Sequence, residues 1–153
     1  MNEQQIRTLL EQVQAGEQSI DEAVTSLRIL PFEDLGFAMV DHHRALRQGF
    51  PEVILCTGKT AAQVTAIAER ILEAGSDLLA TRASPDVFKV VSERLPAARY
   101  HEDARTIVVQ TEWRDRGRGE ILIISAGTSD IPIAQEAAVT AEVMGNQVER
   151  IFD

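Results

Sequence analysis

From Val53 onward the chain alternates short apolar runs with capped amphipathic segments, and this rhythm restricts the fold more than any other feature of it. The runs "VILC" (53–56), "TAAQVTAIAERILEAG" (60–75), "DLLAT" (77–81), "SPDVFKVVSERLP" (84–96) and "TIVVQT" (106–111) read as strand, helix, strand, helix and strand. Strands joined through helices lie parallel, so the spacing predicts a small parallel βαβαβ unit in an α/β fold. The helices carry their own punctuation. Thr60 caps the first and Gly75 closes it; Ser84 caps the second, Pro85 fills its first turn and Pro96 ends it. A further strand, helix and strand follow in "EILIIS" (120–125), "SDIPIAQEAAVTAEVMG" (129–145) and "NQVERIFD" (146–153).

The residues ahead of Val53 have a different pattern. Ile6, Leu9, Leu10 and Val13 recur at helical spacing, Gly16 interrupts them, and Ser19 to Glu22 forms a capping box before Ala23, Val24 and Leu27, which predicts a helical hairpin. Pro31 ends it. "EDLGFAMVDHHRALRQGFPE" (33–52) has mixed periodicity broken by Gly36, Gly49 and Pro51 and reads as an irregular connection. "EWRDRGRG" (112–119) is a charged linker, with a boundary near Gly117. The expected organisation is a helical hairpin over 1–30, an α/β region over 31–116 and a separate unit over 117–153. A single βαβ crossover leaves its sheet and one helix face bare, so N-terminal elements, another chain or further sequence must cover them.

Composition narrows the function. With 153 residues, 44% of them apolar and 25% charged, the chain has the makeup of an ordinary globular protein. No apolar stretch approaches the roughly 20 residues of a membrane span, and "MNEQQIRTLLEQ" has no apolar signal core, so a soluble cytoplasmic protein with no membrane partner is expected. The single cysteine, Cys56, forms no internal disulfide and fits a reducing compartment. A formal net charge of -9 repels phosphate backbones, and only "RDRGRG" runs against it, so nucleic acid is not an expected partner.

Candidate site residues gather at strand ends. Gly127, Thr128, Ser129 and Asp130 turn the apolar strand into the last helix, presenting N–H groups and hydroxyls at a helix N-terminus that favours an anion. The ordinary alternative is that Ser129 or Asp130 caps the helix, Gly127 makes the turn and Pro132 fills the first turn. Lys59 follows "VILC" and Arg82 follows "DLLAT", both on the carboxyl edge of the sheet, where open α/β sheets collect ligands. Solvated loop charges are the alternative there. "CTGKT" is no phosphate-binding P-loop, since Val53 stands where that motif needs glycine. Cys56 reads as a small buried residue. Asp41, His42, His43 and Arg44 group four functional side chains; adjacent histidines diverge too far to share a metal, so no metal site is expected, although one of them is able to serve as acid or base. His101 falls in the expected surface loop "RYHEDAR" and receives no role, and Arg114, Arg116 and Arg118 read as solvated linker charges.

"DLGFAMVDHHRALRQGFPEVILCTGKT" together with "ISAGTSDIPIAQEAAVTAEVMGN" closely resembles the LarB family, and the resemblance covers essentially the whole chain. That family makes pyridinium-3,5-biscarboxylic acid mononucleotide for the nickel-pincer cofactor of lactate racemase. The resemblance implies a distinctive N-terminal region followed by the first βαβ of a PurE-like domain (flavodoxin-like, three-layer), similar to aminoimidazole ribonucleotide carboxylase. It implies carboxylation of the pyridinium ring of nicotinic acid adenine dinucleotide, with carbon dioxide or bicarbonate as co-substrate, and hydrolysis of the phosphoanhydride to release AMP. No tightly bound cofactor is implied. Ser129 and Asp130 match the carboxylase signature residue for residue, which marks Asp130 as a catalytic candidate. Ala126 and Gly127 depart from its Gly-Ser, so the first serine's role does not carry over. Gly127, Thr128, Ser129, Asp130, Lys59, Arg82 and Arg44 are then the substrate-binding candidates. The family's domain continues past "VERIFD" to a nucleophilic cysteine, so the chain is expected to be truncated, inactive alone, and a homo-oligomer when full length. The alternative from another class is a non-enzymatic α/β module that binds a phosphorylated ligand or a partner chain; a third reading is a phosphosugar-binding protein of different chemistry.

Overall fold

A computed structural model of the chain describes residues 3–28, 32–42, 44, 50, 52–110, 117 and 119–153. They divide into two compact units, one comprising Met1–Glu52 with Arg70–Ser76 and the other Val53–Glu69 with Asp77–Asp153.

In the first unit α1 (Glu3–Ala15) and α2 (Ile20–Arg28) form the expected helical pair, with Leu9 and Ala23 buried. The capping box is complete. Glu22 Oε2 accepts from the Ser19 N–H at 2.9 Å and from its hydroxyl at 2.7 Å, while the Glu22 N–H donates to Ser19 Oγ at 3.2 Å. These bonds to the charged carboxylate, the backbone one foremost, hold the Glu22 pKa below its ordinary value. The segment after it departs from the expected irregular connection. β1 (Phe32–Asp34) and β2 (Met39–Asp41) pair antiparallel, Glu33 opposite Val40. Asp34 Oδ1 accepts the Gly36 N–H at 2.7 Å, Gly36 takes φ 78°, and the Leu35 N–H reaches the Ala38 carbonyl at 2.9 Å. Three-residue strands are too short to show a two-residue period, so the Asp-Leu-Gly turn is their sequence signature.

The second unit carries the α/β rhythm. β3 (Val53–Leu55), α3 (Ala61–Glu73, whose last turn is counted with the first unit) and β4 (Leu78–Thr81) make the expected parallel crossover, Ile54 opposite Ala80. Thr60 and Gln63 cap α3 reciprocally, N–H to side-chain oxygen, at 2.9 and 3.2 Å. α4 (Pro85–Arg94) begins at Ser84, whose side chain accepts the Val87 N–H.

The next step corrects the all-parallel expectation. The strand that returns parallel to β4 is β5 (Arg99–His101), within the segment read as a surface loop. A tight turn over Glu102–Arg105 then folds β6 (Thr106–Val109) back between β4 and β5, antiparallel to both. The sheet order is therefore β3-β4-β6-β5. β5 alternates exposed, half-buried and exposed over three residues, a pattern a charged loop shares, whereas β6 is buried at every position.

β7 (Glu120–Ser125), α5 (Ile131–Val143) and β8 (Gln147–Phe152) form the second parallel crossover, from Glu120 opposite Gln147 to Ser125 opposite Phe152. A helix apolar on every side must be buried on more than one. α5 packs on β7 and β8 and also on β4 and β6, where Val139 and Val143 join Leu79, Val108, Ala104 and Val53 in one core cluster. The sheet of residues 53–109 thus covers the helix face that a lone crossover leaves bare. Leu79→Ala should therefore lower the unfolding free energy by about 2–5 kcal/mol, against under about 0.5 kcal/mol for Ile133→Ala at an exposed position of α5. Equal urea midpoints for the two variants would remove Leu79 from that core.

Candidate functional site

The corner after β7 is built on its register with β8. The Asp153 N–H donates to the Ser125 carbonyl and the Gly127 N–H to the Asp153 carbonyl, both at 3.1 Å. Gly127 then takes φ 97°, a backbone that side chains other than glycine's resist, and its carbonyl accepts the Asp130 N–H at 3.1 Å. The Asp130 carbonyl opens the helix by accepting from Ile133 and Ala134. Asp130 occupies the cap position, yet it has helical φ and ψ (-94° and -14°) and its side chain makes no capping hydrogen bond. The carboxylate is not spent on the helix. Ala126, Gly127, Thr128, Ser129 and Asp130 are all exposed, while Ser125 beneath them is buried, its Oγ without a hydrogen-bond partner among the described residues.

Arg82 meets this corner. It leaves β4 with φ 54°, and its Nε lies 3.7 Å from Glu136 Oε1 in the second turn of α5. A cavity of about 450 Å³ opens beside it, lined by Arg82, Ser84, Tyr100, Glu102, Arg105 and Pro132 among others, so the exits of β4 and β7 share one region of the surface. Sequence reading identified Arg82 and missed the rest of this wall. Arg105 and Tyr100 lay in the supposed loop, and only the length of the "EDAR" turn signals the hairpin that carries them.

Lys59 is on the same sheet edge but turned back, its Nζ donating to the Leu55 carbonyl at 3.0 Å. Cys56 lies between, 4% exposed, and its N–H donates to the Thr81 carbonyl at 3.0 Å. Burial pushes its thiol up to about 11 against the opposing pull of the Lys59 charge. Tyr100 stacks on Phe88 with centroids 5.0 Å apart and donates to the Ala83 carbonyl at 2.9 Å. Burial first and Glu102 second raise its hydroxyl pKa, and Arg105 opposes them.

In the first unit His42 is buried, its Nε2 2.9 Å from Glu33 Oε2, and Arg70 Nε stands 3.3 Å from the other oxygen of Glu33. A carboxylate shared by a histidine and an arginine orients the ring, and neither Glu33 nor Arg70 stood out in the sequence. The Asp41 N–H donates to Glu52. Arg44 sits with its guanidinium 5.6 Å from the centre of the Phe50 ring and its Nε buried without a hydrogen-bond partner among the described residues. His43, Arg114, Arg116 and Arg118 lie outside the described residues, and His101 ends β5 as an exposed strand residue. Among the described residues no three His, Cys, Asp or Glu side chains come together as a metal set, and no helix is long and apolar enough to cross a membrane.

The thiol gives a direct test. Folded Cys56 titrates near 11 against 9 for an ordinary thiol, so a thiol reagent at pH 8 should react with the folded chain about a hundredfold more slowly than with the unfolded one. Between pH 9 and 11 the folded state keeps a proton that the unfolded state has lost, so stability should fall as pH rises through that window. Equal reaction rates folded and unfolded would show the thiol to be accessible and ionised.

A comparison with protein-family models gives the family. The model of the LarB/PurE-like N-terminal domain matches residues 32–112, more than half of the chain. An uncharacterized protein of Methanocaldococcus jannaschii is 28% identical over 156 residues, covering 97% of this chain and 60% of that protein, so the chain spans about 60% of the length of this curated relative. With the β3–α3–β4 crossover and the hairpin β1–β2 both inside the matched span, the chain belongs to the LarB family.

Proposed function

We propose that these residues supply the anion-holding wall of an enzyme of nickel-pincer cofactor synthesis, one that carboxylates the pyridinium ring of nicotinic acid adenine dinucleotide and hydrolyses its phosphoanhydride to release AMP. The observation that carries the reading is the Asp130 carboxylate, exposed at the start of α5 and uncommitted to capping, in a stretch that resembles a carboxylase signature. Family membership supports the reaction class.

In the ring carboxylation a thiolate adds to the electron-poor pyridinium, and the resulting dihydropyridine carbon attacks carbon dioxide. Loss of the ring proton and of the thiolate then restores aromaticity, with a carboxylate where the hydrogen was. Cys56 is a poor source of that thiolate, being buried and titrating near 11. The part of these residues is electrostatic and acid–base. Thr128 and Ser129 offer hydroxyls and the α5 N-terminus a positive dipole end to a phosphate or an incoming carboxylate, with Arg82 adjacent; on this reading Asp130 takes the ring proton. Lys59 and Arg44 are further contributors on this reading, Lys59 only after leaving the Leu55 carbonyl. The substrates on this reading are the dinucleotide and carbon dioxide or bicarbonate, with no tightly bound cofactor, in a cytoplasmic homo-oligomer of the family's full length.

A protein carrying these residues at full family length should fix labelled bicarbonate into the dinucleotide and release AMP. Asp130→Asn should lower turnover at least about a hundredfold while changing stability by under about 0.5 kcal/mol, since no capping bond is lost. Absence of both reactions from that protein would overturn the assignment, and a large stability loss with turnover per folded molecule retained would reduce Asp130 to a helix residue.

One observation favours a partner-binding reading. Ile124 and Ile151 are paired across β7 and β8 and are 68% and 50% exposed, on strands of a kind usually covered on both faces. If that face binds protein, sedimentation should show association of the chain that the double change Ile124→Glu, Ile151→Glu abolishes; a monomer at high concentration without the change would count against it.

A further inference from the structure

Among the described residues, the non-glycine backbones in the left-handed region belong to two arginines, Arg82 at φ 54° and Arg105 at φ 49°. That conformation is costly for such residues and persists where the surroundings enforce it. Both line the 450 Å³ cavity at the β4 exit. Its frame is cross-tied: the Ala83 N–H donates to the Arg105 carbonyl at 2.8 Å, the Tyr100 hydroxyl to the Ala83 carbonyl at 2.9 Å, and the Arg105 N–H to the Glu102 carbonyl at 3.1 Å. The Arg105 charge lowers the Tyr100 hydroxyl pKa against the larger effects of burial and Glu102, and both residues line the cavity.

The lining has a second character. Glu102 and Asp103 stand beside the arginines, so a bare anion would meet two carboxylates as well as two cations. A ligand carrying a phosphate at one end and vicinal hydroxyls at the other satisfies both sets: guanidinium groups fork onto phosphate oxygens, and carboxylates accept from a ribose diol. The volume is within the range that holds a nucleotide-sized molecule.

We infer that this cavity binds the ribose phosphate portion of a nucleotide, with Arg82 and Arg105 on the phosphate and Glu102 and Asp103 on the sugar hydroxyls. The inference rests on the dinucleotide reading above and adds Arg105, Glu102 and Asp103 to it. Pro132, in the first turn of α5, is part of the lining, so the cavity adjoins the Asp130 corner.

Tyr100 is the chain's only tyrosine, so 3-fluorotyrosine places a single fluorine label in the cavity wall. Titration of the labelled chain with AMP or ribose 5-phosphate should shift that resonance saturably, whereas inorganic phosphate should bind at least tenfold more weakly and adenosine not at all. Arg105→Asn, a residue that tolerates the left-handed backbone, should weaken AMP binding at least tenfold with an unchanged amide spectrum, and Arg105→Lys should restore part of it. Glu102→Gln with Asp103→Asn should erase the preference over inorganic phosphate. No saturable shift with AMP, or equal affinity in Arg105→Asn, overturns the inference. The two readings separate in the full-length protein. An unchanged KM for the dinucleotide in Arg105→Asn, with turnover still dependent on Asp130, sinks the cavity alone; AMP binding without any turnover sinks the dinucleotide chemistry and leaves a ribose phosphate site.

Discussion

The burial of α5 between two sheets is the contact on which the second unit depends. Val139 and Val143 pack on Leu79 and Val108, and the same helix covers β7 and β8. A two-stranded parallel sheet has little stability of its own. β7 and β8 hold their register because the helix that joins them is fixed on a four-stranded sheet whose β4 and β6 are buried along almost their whole length. The fit also sets direction. With α5 anchored by its C-terminal half, its first turn lies over the exit of β4, and Glu136 reaches Arg82 across the gap.

That placement explains why the candidate groups are polar and poorly satisfied while the core beneath them is not. Among the described residues Ser125 Oγ is buried without a partner, Asp130 is at a cap position without capping, and two arginines hold left-handed backbones within one cavity wall. Each is a local loss of stability, of order 1 kcal/mol or more for a strained backbone or an unpaired buried hydroxyl. Their gathering at strand exits is what a ligand site needs, because groups already satisfied within the fold have little left to offer a substrate. The contrast with Lys59 is instructive: its ammonium already has the Leu55 carbonyl, so recruitment to a ligand first requires breaking that bond.

The parts of the fold legible in the sequence are those decided within one turn of chain. Ser19 with Glu22, Thr60, and Ser84 ahead of Pro85 each signal a helix start through a side-chain hydrogen bond to the residue three positions on, and each bond forms, to Glu22, Gln63 and Val87 in turn. What stayed hidden is decided by distant partners. The three residues of β5 show no period, and nothing in "TIVVQT" says whether its strand runs with β4 or against it; that is settled by the four-residue turn at Glu102, which leaves β6 no path but back between its neighbours. The site divides in the same way. Arg82 was visible as a cation after an apolar run, whereas Arg105 depends on the hairpin, and Glu33 reaches His42 only through the pairing of β1 with β2.

The two features of the Asp130 corner separate along this line. Gly127 turns the chain as its sequence context requires, since a left-handed residue there needs no partner beyond its neighbours. The capping role expected of Ser129 or Asp130 is instead left to backbone bonds alone, the Asp130 carbonyl accepting from Ile133 and Ala134 and Gly127 holding the Asp130 N–H. A helix start with an uncapped side chain costs about 1 kcal/mol relative to one with its cap made. α5 tolerates that because its stability comes from burial between sheets and not from its first turn. The packing that fixes the helix is thus what frees the carboxylate at its end.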